Sequence, residues 1–428
     1  MAFMVKMALR SLVFRRRQFS SLFFVCVFGA GVSLASLFLC RGMNAALREK
    51  ARVYFGGDYV VSGGTSALSI PDAKRITELV RDAFPDGSVV SERFNMLAWS
   101  SSLFFDGTEA HVRVINGIDF DSETALLSTM NFSAGGFFSS GEMMARHGIL
   151  LSRPVSEKLG CTVGSRVTFL TRLPSGFLNT VEFEVTGIFS DSSIFGMYTA
   201  YADKSVLMES CGMESGWANR ICVQLPEGKT ADVEAIREKL SEKIEMFPIV
   251  SDKNEFYDML GSFSVETFAI FPLDAYLGDV EIMEVAMDGV TMFVIIVLVV
   301  IVVVGIGSSY KVIVMKRINE IGVYMAIGMG KAAVTGVLSL EAFFLLVAGC
   351  AGGLAFSGVI CAVMRLFDFS FVPSFDIFLS DGCLNFSFDM LGCAAVIAAV
   401  VFVTLLVVVQ SVWKSVRIMP VDALANME

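Results

Sequence analysis

Lys311 to Lys331 reads KVIVMKRINEIGVYMAIGMGK, a short basic stretch between two long apolar runs, and its reading decides the fold. Gly289 to Tyr310 and Ala342 to Met364 carry no charge, so each can cross a hydrocarbon core about 30 Å thick. The stretch is therefore tied to a membrane at both ends. Within it Arg317 precedes Glu320, Ile321 and Gly322, then Val323, Tyr324 and Met325, then Ala326, Ile327 and Gly328. At about 3.6 residues per turn, Ile318, Ile321, Tyr324 or Met325, and Gly328 share one face, while Arg317 and Glu320 stand one turn apart and can pair. This predicts a short amphipathic helix, with small residues where another backbone comes close, suited to docking in a protein groove.

The rest of the chain agrees with a membrane setting. It has 428 residues, 54% of them hydrophobic, and a mean hydropathy of +0.66, too apolar for a soluble protein. A net charge of −10 argues against nucleic acid as a partner. Of nine cysteines, Cys26, Cys40, Cys350, Cys361 and Cys393 fall in or beside apolar runs, where Cys acts as a small hydrophobe. Cys211 and Cys222 could bridge, but their spacing is no evidence that they do.

Residues 1–18 form a basic amphipathic segment holding Lys6, Arg10, Arg15, Arg16 and Arg17, and Phe19 to Cys40 follows without a charge over 22 residues. A cleaved signal would have an apolar region of about 7–15 residues, so the run is read as an uncleaved span. The expected organisation is a first span at 19–40, an outer region at 41–288, further spans at 289–310, 336–364 and 390–413, the basic loop at 311–331, an outer loop at 365–389 and a tail at 414–428. Lysine and arginine concentrate at the N-terminus, in 311–331 and in the tail, whereas the 365–389 loop has Arg365 against Asp368, Asp376, Asp381 and Asp389. Both termini are thus expected in the cytoplasm.

The outer region reads as two α+β lobes. Arg41 to Tyr54 is a helix ended by Gly56 and Gly57, Val60 starts a strand, and Pro71 to Phe84 is a helix. Phe104 to Ile115 reads as a hairpin turning at Asp106-Gly107. A second lobe is expected from Ile149, with a helix capped by Ser152, strands at Val167–Leu170 and Val181–Ile188, a strand at Ile221–Val223, a helix over Asp232–Ile244 and a last strand at Ile249–Val250. The return segment 274–288 is acidic. Counting outward from the membrane, Arg41 matches Asp288, Arg48 matches Glu281 and Lys50 matches Asp279, which predicts a two-helix stalk (41–54 and 274–288) with these pairs at equal depth. Exposed pairs contribute only about 0–1 kcal/mol each, so their value would be register.

Catalytic signals are missing. Gly228-Lys229-Thr230 has Val223 where a phosphate-binding loop needs its leading Gly, and reads as an ordinary turn. His111 and His147, the two histidines, have no second ligand nearby, so neither a metal site nor a catalytic residue is expected. Glu341 is an acid in an apolar stretch and must face the bundle or the interface; it either anchors the loop through Arg317 or Lys316, or lies among headgroups. Gly349 and Gly353 form a G-x-x-x-G pair for close helix packing, within the chain or between two copies. The loop Arg172 to Thr180 is longer than a hairpin needs and oddly apolar, with Leu173, Pro174, Phe177 and Leu178.

The run Arg317, Glu320, Ile321, Gly322, Ala326, Gly328 resembles the coupling helix of the FtsX/MacB/LolC permease family, the membrane subunits of type VII ABC transporters. Leu340-Glu341-Ala342, the glycines at 349, 352, 353 and 358, and Pro420-Val421-Asp422-Ala423-Leu424 are similar to further family motifs, and Ser152 to Phe189 looks like part of the MacB-like periplasmic core. The layout resembles LolC and LolE most. The resemblance implies an α-helical membrane protein with four transmembrane helices and a large extracytoplasmic α+β domain between helices one and two, in the cytoplasmic (inner) membrane.

It further implies coupling residues Arg317, Glu320, Ile321, Gly322, Ala326, Gly328 and Glu341. Two copies of a separate ABC ATPase would carry ATP and Mg, with no cofactor in this chain, beside a second permease that is this chain again or a paralogue. In a LolC-like pair, lipoprotein acyl chains would enter near Met43, Ala46 and Met287. In LolC the loop corresponding to 172–180, the Hook, receives a periplasmic carrier; here it is shorter, and it is read first as packing on its own lobe. MacB-like efflux and FtsX-like control of cell-wall hydrolases are the rival roles.

Overall fold

The computed structural model describes residues 2–65, 68–97, 102–191, 193, 195–226, 228–369, 375–380 and 382–416. The 420–424 motif therefore lies outside the described residues. The chain divides into two compact units, Met1–Ala45 with Met283–Asp368 and Cys383–Glu428, and Ala46–Ile282 with Phe369–Gly382.

In the first unit, an N-terminal helix (Ala2–Phe14) meets the first membrane helix (Arg16–Phe55) at a turn on Arg15. The second membrane helix is Leu273–Lys316, the third Lys331–Met364 and the fourth Met390–Val416. These four helices are long and apolar enough to cross a bilayer. Phe19, Leu22, Cys26, Ala30, Leu34 and Phe38 make one stripe on the first helix and pack with Val302, Ile306 and Tyr310 of the second, Leu346 and Cys350 of the third, and Val396, Val400 and Val408 of the fourth. Apolar burial does not drive helices together in lipid, so close approach through small residues matters more. A Cβ on Gly349 would lie 2.7 Å from Cys26 Sγ, and one on Gly353 would lie 3.0 Å from the Ala30 Cβ and the Gly31 nitrogen. The glycine pair thus seats the third helix on the first, within one chain.

The stalk register differs from the one counted along the sequence. Arg41 pairs with Asp389 at 3.2 Å, and Asp288 instead accepts from the Cys40 thiol at 3.2 Å and the Asn44 amide at 3.4 Å. In the second unit Arg48 pairs with Asp274 at 2.8 Å and Lys50 with Asp191 at 3.7 Å, whereas Glu281 is exposed and the Asp279 side chain lies outside the described residues. Equal depth along two helices does not place residues at equal rotation about their axes, which the count ignored.

The second unit is built on strands β1 (Tyr59–Gly64), β2 (Val89–Leu97), β3 (Ser102–Phe105), β4 (Thr108–His111), β5 (Val114–Ile118), β6 (Phe132–Gly135), β7 (Gly148–Ser152), β8 (Arg166–Arg172), β9 (Leu178–Phe189), β10 (Thr199–Asp203), β11 (Arg220–Gln224), β12 (Glu245–Met246) and β13 (Thr267–Pro272). They follow one path, β12-β13-β1-β11-β2-β5-β10-β7-β9-β8-β3-β4, with β6 on β9. β2 is shared: Val89–Arg93 pairs with β11 and Phe94–Leu97 with β5. One core gathers Val61, Ile76, Val80, Ile221, Phe268 and Ile270, and the other Leu103, Ile115, Ile149, Phe169, Phe183 and Leu207.

The second lobe is therefore nested inside the first, and does not begin at Ile149. The hairpin ends at His111, so His111–Ile115 is not one strand; its turn uses Asp106 (φ 46°) and Gly107 (φ 80°), a primed turn suited to strand twist. Ile249–Val250 is loop rather than strand; the edge of that lobe is the two-residue β12, and β13, which lies between β12 and β1, was not anticipated. Cys211 and Cys222 are free and buried, and burial pushes both thiols up to about 11.

Replacing Gly353 with Leu is expected to lower stability by about 1–3 kcal/mol, the usual range for overpacking. Gly358→Ala, whose Cβ would meet nothing within 4 Å, should be neutral. Thermal unfolding of the purified chain in detergent compares the two.

Candidate functional site

The second membrane helix stops at Lys316 because Arg317 leaves helical geometry (φ −103°, ψ 11°), and a short helix, Ile318–Ala326, follows. Arg317 precedes that helix without capping it, since its guanidinium turns into the core. There it donates to both oxygens of Glu341 at 2.6 and 3.3 Å, to Glu320 at 3.3 Å and to Ser11 Oγ at 3.3 Å. Arg317 is 4% exposed and Glu341 1%, so Glu341 is the loop's anchor and not a headgroup acid. Burial alone would lower the arginine's pKa, but the hydrogen bonds and charges of Glu341 and Glu320 outweigh it and raise it. A charge buried here is tolerable only when paired and hydrogen-bonded. Glu320 also accepts from Arg15, and Tyr310 donates to the Leu338 carbonyl at 2.6 Å. Four elements are thus pinned around one arginine.

The far end of the short helix is closed by Gly328. With φ at +99°, its amide donates to Met325 O at 3.1 Å and that of Met329 to Tyr324 O at 3.0 Å, a Schellman cap. Gly328 therefore lies beyond the helix and does not share its face, as the periodicity had suggested. Ile321 and Gly322 are buried against the chain's own core. The outward face is Asn319, Val323, Ala326 and Ile327, of which Val323 is 50% and Ile327 78% exposed. Asn319, Val323 and Ile327 were not singled out in the sequence; the spacing i, i+4, i+8 is the signal that could have found them.

In the second unit, the first helix ends on Arg93, whose guanidinium donates to Tyr54 O at 2.8 Å and Val53 O at 3.2 Å and forks onto Glu123. The last carbonyls of a helix lack partners, and a cation there is favourable. Gly56 (φ +100°) permits this, since a Cβ would come within 2.6 Å of Arg93 Nε and Cys222 Sγ. Arg93 is fully buried; burial would lower its pKa, yet Glu123 leads the groups that raise it. Directly across the ladder is Arg220, which lies over the rings of Tyr276 (5.2 Å), near the start of the second membrane helix, and Phe55 (6.0 Å). Paired strands thus hold the ends of both long helices. Nothing in the sequence marked these arginines except that Arg93 alternates with Ser91.

The 172–180 loop packs on its lobe, as expected, at its base but not at its tip. Its turn closes with Leu173 N to Phe177 O at 2.8 Å, Leu173 leans on Gly212, and Asn179 donates to Ser210 O at 2.9 Å. Pro174 is exposed, and Phe177 and Leu178 project into solvent, 74% and 61% exposed. Met43 and Ala46 are buried at 8% and 3%, and Met287 is half-buried, so two of the three residues expected to contact a substrate are inaccessible in this structure. No cluster of metal-ligating side chains occurs among the described residues.

A family model described as MacB-like periplasmic core domain matches residues 24–243, and one described as FtsX-like permease C-terminal matches residues 292–420. Compared with individually curated proteins, the chain finds no match.

Removing Arg317 alone, as Arg317→Ala, should cost about 3–5 kcal/mol by leaving Glu341 buried and unpaired. The double variant Arg317→Met/Glu341→Leu should recover most of that loss in the same thermal assay. Gly328→Val should cost about 1–2 kcal/mol from its left-handed backbone, and Gly328→Asn less.

Proposed function

The chain belongs to the FtsX/MacB/LolC family of type VII ABC permeases, and on that premise we propose that it works by mechanical transmission, extracting a lipoprotein or similar amphiphile from the outer leaflet of the inner membrane. As a permease subunit of an ABC transporter it acts with an ATPase, here taken to be two copies of a separate chain that bind ATP and Mg. The proposed topology puts both termini and 317–328 in the cytoplasm and 46–282 outside.

The observation that carries the mechanism is the short helix braced from behind by Arg317–Glu341 and offering Val323, Ala326 and Ile327 outward. A rigidly seated apolar face transmits displacement, whereas a loop held only by its ends would absorb it. Arg317, Ile321, Gly322, Gly328 and Glu341 then serve coupling by positioning that face, not by touching the partner. On the other side, Arg93 and Arg220 hold the stalk helices to the strands that must move. The lipoprotein reading is favoured over efflux or hydrolase control by the exposed Phe177–Leu178 tip, a small apolar surface suited to a periplasmic carrier. A second permease, this chain or a paralogue, would complete the assembly.

Changing Val323 and Ile327 to Asp should abolish co-purification of the ATPase without altering thermal stability; retained ATPase would refute the coupling role. Changing Phe177 and Leu178 to Ser should remove carrier capture while leaving ATPase association intact, as a pull-down with the periplasmic fraction would show.

A further inference from the structure

The N-terminal helix has two unlike faces. Ala8 and Leu12 pack into the membrane core, and the same side brings Ser11 to Arg317 and Arg15 to Glu320. The other face is uncovered: Leu9 is 45%, Val13 75% and Phe14 86% exposed, and Lys6, Arg10, Arg16 and Arg17 are exposed around them. Lys6, Leu9, Arg10 and Val13 recur at helical spacing on one side, and Arg16 and Arg17 follow the turn at Arg15. The first acid in the chain is Glu49, so no carboxylate of this segment neutralises that face.

A charge bias toward the cytoplasm would explain the number of basic residues but not their sorting. Arg15 alone turns inward to a carboxylate, and the others ring three apolar side chains. Phe14 and Phe19, where the uncharged run begins, are separated by the turn at Arg15 and the exposed pair Arg16 and Arg17. An exposed apolar row ringed by basic groups, next to the start of a membrane span, is the arrangement of an interfacial helix.

We propose that this face binds anionic phospholipid of the leaflet that the proposed topology makes cytoplasmic, and that the lipid steadies the coupling segment through Ser11–Arg317 and Arg15–Glu320. The second half rests on the coupling role argued above; the lipid site does not. Each basic residue near an anionic surface is worth roughly fivefold in affinity.

The test uses the full chain in detergent, exposed to phosphatidylglycerol and phosphatidylcholine, with retained lipid read by native mass spectrometry. The wild type should prefer phosphatidylglycerol. Lys6→Gln/Arg10→Gln/Arg17→Gln should lose at least one such factor per residue, and Val13→Ser/Phe14→Ser should weaken retention of both lipids. Lys311→Gln/Lys316→Gln, which removes exposed charge from another element, should leave the preference intact. A wild type without preference, a triple variant that keeps it, or an equal loss in the Lys311/Lys316 control would each overturn the site. In nanodiscs with the co-purified ATPase, phosphatidylglycerol should alter the ATPase rate of the wild type and not of the triple variant. Loss of lipid retention with an unchanged ATPase response would overturn the tie to the coupling segment. Failure of any ATPase to co-purify would count against the coupling reading instead, and lipid retention would still decide the site.

Discussion

Arg317 and Glu341 form an ion pair buried where a membrane helix ends, and the geometry around it follows from the need to satisfy both charges. An arginine at such a place must find a carboxylate and further acceptors. Arg317 does so by leaving helical geometry and pointing back into the bundle, which ends one helix at Lys316 and lets the next begin at Ile318. The third membrane helix supplies Glu341, the N-terminal helix supplies Ser11, and Glu320 is shared with Arg15. The start of the short helix is therefore tied to both the N-terminal and the third membrane helix. Its outward residues Val323, Ala326 and Ile327 stand on the side away from those ties.

A similar solution recurs in the second unit. Arg93, fully buried, joins the terminal carbonyls of one long helix to Glu123, and Arg220 across the ladder stacks on aromatic rings from both long helices. β2, which carries Arg93, belongs to both lobes. The ends of both long helices are thus tied to strands that border the meeting of the two cores. Arginine suits both positions because its planar fork makes several hydrogen bonds while remaining charged. Lysine would supply a point charge without that geometry.

The membrane helices were legible in the sequence because an uncharged run is a strong signal, and so was the short helix, since its periodicity and its flanking spans agreed. The Arg317–Glu320 pairing followed from spacing alone. The choice of Arg317 over Lys316 for Glu341 did not, because it depends on which side of the helix break each residue falls. Gly328 was misread as a face residue because periodicity continues through a cap that the backbone does not. The nesting of one lobe inside the other was invisible for a related reason: strand patterns show that segments pair, not which segments, and β13 and β11 close a sheet opened well before them. The apolar tip at Phe177–Leu178 was noticed from composition, but its exposure depends on where Leu173 and Asn179 are tied.

Cysteine crosslinking of the outward face tests the central claim most directly. With a single cysteine at Ile327 in the otherwise intact complex, a short bifunctional reagent applied from the cytoplasmic side should join the chain to its ATPase, and the yield should change when ATP is bound. A cysteine at 327 that is labelled only from outside the cell, or that never joins the ATPase while one on the N-terminal helix does, would contradict the account.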